Sequence, residues 1–213
     1  METVFLLARH GLTEWNVQGR YQGQRECALS EEGKLESDAL ARALAPVSLA
    51  AVYSSPLSRA VQTAQTVARF HGLPVTVLPQ LTEICHGHWE GKLVDEVARQ
   101  WGELLNCWRK TPYQVRMPGG ENLAEVEKRV WPVLERLAAE HSGQTALLVT
   151  HDTPIRVILR RILGLAEDGF WRLRLDSAGI TRVGFRVLHG FRVLSLNDVC
   201  HLRGLPGHDQ EAL

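Results

Sequence analysis

Several features are scarce or missing in this 213-residue chain. There is no surplus of charge: lysines plus arginines equal aspartates plus glutamates at 24 each, for a formal net charge of zero. A general nucleic-acid binder needs a basic excess to displace counterions from phosphates, so that class is excluded. No long apolar run occurs. Val4–Ala8 is too short for a membrane span or a signal peptide core, and Glu2 stands where a leader would be basic, so no membrane association is expected. Cysteines are few, and Cys27, Cys85, Cys107 and Cys200 form no CxxC pair, so four reduced thiols in a cytoplasmic protein are expected. Lysine is scarce as well (Lys34, Lys92, Lys110 and Lys128), which leaves arginine carrying nearly all the positive charge. The planar guanidinium fork suits bidentate contacts to oxyanions, although genome composition alone also produces such a bias. Repeats and low-complexity stretches are absent, and 45% hydrophobic with 23% charged residues is ordinary for one substantial core.

What is present reads as alternating strands and helices. Val4–Ala8 and Ala146–Thr150 are continuous apolar runs, the pattern of strands covered on both faces, and Ala51–Tyr53 is a shorter candidate. Ser30 followed by Glu31 and Glu32 predicts a helix start, with Leu35, Ala39 and Ala43 on one face. Ser55-Pro56 opens another helix, in which Leu57, Val61, Ala64 and Ala68 recur at helical spacing. A long helix is predicted from Glu121 to Glu140, and one from Thr153-Pro154 to about Leu163, stopping near Gly164. The last third alternates around His189-Gly190, which suggests an antiparallel strand or hairpin at the sheet edge. This order predicts an α/β three-layer sandwich with a mainly parallel sheet and helices on both faces. One domain is expected over residues 1–202, with an insert or lid at about 92–120 and a loose tail at 203–213.

In such a sheet ligands bind outside the carboxyl ends of the strands. Arg9 and His10 end the first strand, His151 ends the run Ala146–Thr150, and Arg59 lies in the first turn of the helix after Ala51–Tyr53. A cation near a helix N-terminus opposes the macrodipole, and an anion bound between the two reverses that effect. Taken alone, Arg59 fits equally a side chain bent into solvent or paired with a glutamate. Two arginines and two histidines at one edge together suit a doubly charged oxyanion.

The segments LARHGLTEWN, SSPLSRAVQTA, LTEICHGHWEG, PGGENLAEVEKRV and VTHDTPIRVILRRILG carry a resemblance. In this order, from Leu7 to Gly164, they resemble the signature segments of the histidine phosphatase (phosphoglycerate mutase-like) superfamily, in its phosphatase branch. The resemblance implies that His10 is a nucleophile that becomes a phosphohistidine. An imidazole attacks only when neutral, and flanking guanidiniums disfavour its protonated form. It further implies that Arg9, Arg59 and His151 grip the non-bridging oxygens, with Thr13 and Asn16 adding neutral donors and Gln22, Gly23 and Asp152 beside them. Gly11 is expected to let the backbone approach the phosphate closely. Glu83 maps to the family's acid, which protonates the leaving oxygen and then activates water.

Two departures from the family pattern stand out. Asp152 follows His151 where glycine is usual; it would repel phosphate unless turned outward, and capping the helix at Pro154 is the expected alternative. Cys85, His86 and His88 surround the acid, but their spacing is too compressed for a usual zinc site, so no metal is expected; His86 could instead lean into the pocket. The segment between Lys92 and Gly120 is short, lacks the arginine pair of the mutases, and carries Trp101, Trp108 and Tyr113. Those aromatics suit either a lid over a larger leaving group or packing beneath a loop. The expected function is a metal-independent phosphomonoesterase acting on a small phosphate ester such as a sugar phosphate, a phosphoglycerate derivative or ribazole phosphate. The alternatives are a mutase, which would need a bisphosphoglycerate primer, and a non-catalytic phosphate-binding module. An edge strand near Phe191–Leu196 could pair in a homodimer or be covered by the tail.

Overall fold

The continuous apolar runs become the middle of a six-stranded sheet. In the computed structural model, which describes residues 1–208, β1 (Thr3–Arg9), β2 (Ala51–Ser54), β3 (Val75–Val77) and β4 (Thr145–Thr150) lie parallel. An antiparallel hairpin of β5 (Ile180–Arg186) and β6 (Gly190–Asp198) completes the sheet on the far side of β1. The strand order is β3-β2-β4-β1-β5-β6. In register, Arg9 stands opposite Thr150, and Ser54 opposite Val149. Three strands therefore release their carboxyl ends at one level.

Among the described residues six α-helices accompany the sheet: α1 (Glu14–Val17), α2 (Glu31–Leu44), α3 (Ser58–His71), α4 (Val94–Lys110), α5 (Leu123–Glu140) and α6 (Asp152–Leu163). Side chains alternate across a strand, so β1 and β4 serve both faces. Leu6, Ala8, Leu147 and Val149 pack under Leu40, Leu44, Ala60 and Val67 of α2 and α3. Phe5, Leu7, Ala146 and Leu148 pack under Val130, Leu134, Ile155 and Ile158 of α5 and α6. Each of the leucine, isoleucine, valine and phenylalanine side chains contributes about 1.5–3 kcal/mol on burial, and the alanines less. The result is the expected three-layer sandwich. Helix starts follow their caps: Ser30 Oγ accepts from Gly33 N at 3.0 Å, and Asn122 with Glu125 forms a reciprocal capping box. At the far end of α6, Gly164 takes the left-handed conformation that ends helices (φ +61°).

Three expectations need correction. Along α2 the core-facing set is Gly33, Glu36, Ala39, Leu40 and Leu44, while Leu35 is 44% exposed. The physical reason is that a polar anchor, Glu36, takes an inward position next to the strand-end loop: its Oε2 accepts from Leu12 N at 2.6 Å. Helix α6 starts at Asp152 with His151 as its N-cap residue, so Asp152 is the first helical residue and not the cap. Short β3 lacked any apolar run to announce it, since two of its three residues are exposed. As for the tail, Arg203, Gly204, Pro206 and Gly207 are exposed, while Leu205 packs partly buried on the core beneath α2 and α3 and His208 Nε2 lies 2.8 Å from Glu36 Oε1. Residues 209–213 of the expected tail lie outside the described residues.

Candidate active site

The carboxyl ends of β1, β2 and β4 bring four basic side chains together. His10 follows β1 and is 3% exposed. Its Nδ1 lies 2.7 Å from its neighbour's carbonyl, Gly11 O, which can only accept, so Nδ1 carries the proton. Its Nε2 accepts from Arg59 Nε at 3.3 Å and therefore presents a lone pair. Burial, then Arg59, then Arg9 hold the His10 imidazolium well below the ordinary histidine range, so the ring is neutral.

Arg59 is fully buried and makes no ion pair among the described residues, which removes both the solvent and the glutamate alternatives. Its Nη1 donates to Arg25 O at 2.9 Å and its Nη2 to Gly23 O at 2.7 Å. The loop after α1 thus wraps the guanidinium and aims its Nε at His10. Arg9 donates from Nη1 to Leu175 O at 2.7 Å, and its Nε is buried without a partner among the described residues. His151 is fully buried behind the wall; its ring meets His10 edge-on at 5.0 Å, and its Nε2 lies 2.7 Å from Ser55 Oγ. Burial, with Arg59 and His10, keeps it neutral too.

Glu83 enters from the loop after β3 and is 8% exposed. Burial first, and the Asp152 carboxylate second, push its proton affinity above the ordinary range; the Ile84 N–H donating to its Oε1 at 2.8 Å opposes that. Asp152 does not turn away. Its Oδ2 accepts from Arg156 Nε at 2.6 Å, its Oδ1 is 3.9 Å from Arg9 Nη1, and it lines the cleft.

The cleft has a volume of about 300 Å³ and is lined by Arg9, His10, Asn16, Gln22, Gly23, Arg59, Glu83, His86, Asp152 and Thr153, with Arg20, Tyr21, Trp108, Arg156 and Trp171. An adjoining recess of about 370 Å³ shares Asn16, Arg20, Tyr21, Trp108 and Trp171 and adds Trp15, Val94 and Arg109. The sequence-predicted residues divide accordingly. Arg9, His10, Arg59, Glu83, Asn16, Gln22, Gly23 and Asp152 line the cleft, and His151 stands behind it. Thr13 does not reach it: its Oγ1 accepts from Asn16 N and donates to Asn16 Oδ1, closing the cap of α1. That cap occupies the Asn16 carbonyl oxygen and fixes the side chain whose amide nitrogen is left for the cleft. Gly11 is not among the cleft-lining residues, and a Cβ there would meet Gly33 O and Ser37 Oγ of α2.

His86 does lean in. It is 9% exposed, burial lowers its pKa to about 4, and its ring packs against Tyr21, Trp89 and Trp108. Of the three insert aromatics, Trp108 is buried and walls the cleft, while Trp101 and Tyr113 are half-buried and pack on the core. Among the described residues, no three His, Cys, Asp or Glu side chains are grouped to hold a metal ion, and no helix is long and apolar enough to cross a membrane.

Sequence reasoning missed Arg20, Tyr21, Thr153, Arg156 and Trp171. Only Arg156 carried a local signal, an aspartate four residues earlier on the same helix. It also donates to the carbonyls of Phe170 and Leu173 and stacks 5.1 Å over Trp171, whose Nε1 donates to Trp108 O at 3.0 Å. One buried guanidinium thus links Asp152 to the aromatic wall.

Known proteins resemble this chain in sequence and fold. Phosphoserine phosphatase 1 of Hydrogenobacter thermophilus is 38% identical over 197 residues, covering 92% of this chain and 93% of that one. A probable phosphoglycerate mutase of Cronobacter sakazakii is 31% identical over 205 residues, covering 92% and 93%. The solved structure of Bacillus stearothermophilus YhfR matches with a TM-score of 0.91 at 29% identity, covering 94% of this chain and all of that one. The family model described as histidine phosphatase superfamily (branch 1) matches residues 5–199. The match runs from the strand that leads into His10 to beyond the closing hairpin, and the chain belongs to branch 1 of the histidine phosphatase superfamily.

Proposed function

We propose that this chain hydrolyses the phosphate monoester of a small metabolite through a phosphohistidine on His10, with no metal ion taking part. The observation that carries the reading is the state of His10: neutral, locked by Gly11 O at Nδ1, with the Nε2 lone pair beside Arg59. In the first step Nε2 bonds to phosphorus while the ester oxygen leaves with the Glu83 proton. In the second, water attacks the phosphorus, gives its proton to the Glu83 carboxylate, and orthophosphate departs as the P–N bond breaks. The raised proton affinity of Glu83 suits it to the acid role first. Arg59, Arg9 and the Asn16 amide supply donors for the phosphoryl oxygens, and His151 supports them from behind.

The leaving group would occupy the side of the cleft formed by Tyr21, His86, Trp108 and Trp171. Phosphoserine is the first candidate, because the relative with 38% identity is named for it. Phosphorus NMR in the presence of a chelator tests the reading, using phosphoserine and then 3-phosphoglycerate with a trace of bisphosphoglycerate. Orthophosphate as the sole product supports it. Conversion to 2-phosphoglycerate makes the chain a mutase, and activity that disappears with the chelator and returns with a divalent ion overturns the metal-free mechanism.

A further inference from the structure

The inward turn of Glu36 places a buried carboxylate on the core-facing side of α2, among Ala39, Leu40 and Leu44. Glu36 is 2% exposed and lies on neither the cleft nor its recess. Its Oε2 accepts from Leu12 N at 2.6 Å, and its Oε1 lies 2.8 Å from His208 Nε2. No lysine or arginine pairs with it among the described residues.

Leu12 N–H and Gly11 C=O belong to one peptide group. In a trans peptide they point in opposite directions, and no cis bond occurs among the described residues. Glu36 therefore grips one end of the amide whose other end, Gly11 O, accepts from His10 Nδ1 at 2.7 Å. The order is carboxylate, peptide, imidazole, with a short hydrogen bond at each junction. A negative charge at the N–H end draws the amide toward its charge-separated form, which makes the carbonyl oxygen a stronger acceptor.

We infer that Glu36 is a positioning residue for His10. Acting through the Gly11–Leu12 peptide, its charge fixes the Nδ1–H tautomer and raises the electron density of the attacking Nε2. It plays from a distance the part that a carboxylate bound directly to a histidine plays in other nucleophilic sites. The inference rests on the reading of His10 as nucleophile. Other contacts keep the loop in place without it: Gly11 N donates to Thr63 Oγ1 at 3.2 Å and Ser30 N to Leu12 O at 2.9 Å. Gly33 packs so closely beneath Leu12 that a Cβ would lie 1.9 Å from Leu12 O. Thus Glu36 can be changed without releasing the loop.

Glu36→Gln keeps an acceptor for Leu12 N–H and removes the charge. The first readout is nitrogen-15 and proton NMR of His10; the second is the single-turnover rate of phosphoenzyme formation from an aryl phosphate, with orthophosphate inhibition as the binding control. In Glu36→Gln the His10 Nδ1–H proton resonance moves upfield, the rate falls on the order of tenfold, and inhibition by orthophosphate is unchanged. His208→Ala removes a competing contact from the same carboxylate, so there the Nδ1–H resonance moves downfield. An Nδ1–H resonance that stays put in both variants, or a Glu36→Gln loss that lies wholly in orthophosphate affinity, overturns the inference. If Glu36→Gln fails to fold, His208→Ala alone decides by the same resonance. His10→Ala run in parallel separates the two claims: full activity there defeats the nucleophile reading, while the NMR shifts still report whether Glu36 acts through the peptide.

Discussion

The two ends of the cleft are built differently. At the phosphate end, Arg9, His10 and His151 come from strand termini and Arg59 from the first turn of a helix, each locked by backbone carbonyls or by a buried partner. At the other end, Tyr21, His86, Trp108 and Trp171 come from loops, a kinked helix and an irregular turn, and they meet mostly ring on ring. In the proposed reaction the first end would hold its donors where charge gathers, at no reorganisation cost. The second offers apolar surface with few polar groups, where contacts adapt to shape. On the proposed reading, chemistry and specificity thus belong to differently built scaffolds, joined by Asp152 and Arg156.

That contrast can be broken in order of expected effect. Arg59→Met removes the charge beside Nε2 and the clamp on Gly23 and Arg25; a loss of kcat/KM on the order of 10²–10³ is expected, with little recovered by Arg59→Lys because the fork is lost. An equal loss in Trp171→Ala would erase the distinction between the two ends. Glu83→Gln should lower kcat/KM, which reports transfer to His10 and not the later water attack, by about 10²–10³ for alkyl phosphates and far less for aryl phosphates with their better leaving groups. The same residue gives a pH test. Glu83 must be protonated to act first, so the rate for alkyl esters falls as pH rises through its elevated pKa. In Asp152→Asn the neighbouring negative charge is gone, the proton leaves more easily, and that alkaline limb moves to lower pH. A limb that stays in place would detach Asp152 from the acid.

Smaller effects belong to the aromatic end. Trp171→Ala and His86→Ala should raise KM for an alkyl ester about tenfold while inhibition by orthophosphate stays constant, measured in parallel. The smallest effect is on acid stability. His10, His86 and His151 are buried neutral, with folded pKa values below the unfolded one, about 4 for His86. The unfolded chain therefore binds more protons as pH falls below about 6.5, and stability declines from there downward. Thermal melts between neutral pH and pH 4 should show a shallower decline in His86→Ala than in the parent chain.

The phosphate end was legible in sequence because it obeys local rules. Apolar runs stop at Arg9 and Thr150, caps mark helix starts, and in a parallel sheet such ends converge. What escaped depends on contacts between segments far apart in the chain. Nothing near Glu36 announces that Leu12 needs its carboxylate, so periodicity pointed to Leu35. Nothing near Thr13 distinguishes a hydroxyl that caps α1 from one that binds phosphate. Nothing near Gly11 announces that α2 packs so closely on it that a Cβ would meet Gly33 O. Tyr21 and Trp171 look like any other aromatic residues until His86 and Trp89 pack on the first and Arg156 and Trp108 hold the second.

The central claim is that His10 Nε2 takes the phosphoryl group. Rapid quenching of the protein with a phosphate monoester in alkali, which preserves phosphohistidine, followed by peptide mass mapping, tests it directly. The account predicts one phosphoryl group on the peptide containing His10, absent in His10→Ala, with more of it in Glu36→Gln only if water attack slows more than transfer. Turnover of the ester with no phosphorylated His10 peptide at any quench time, or label on another residue, would contradict it.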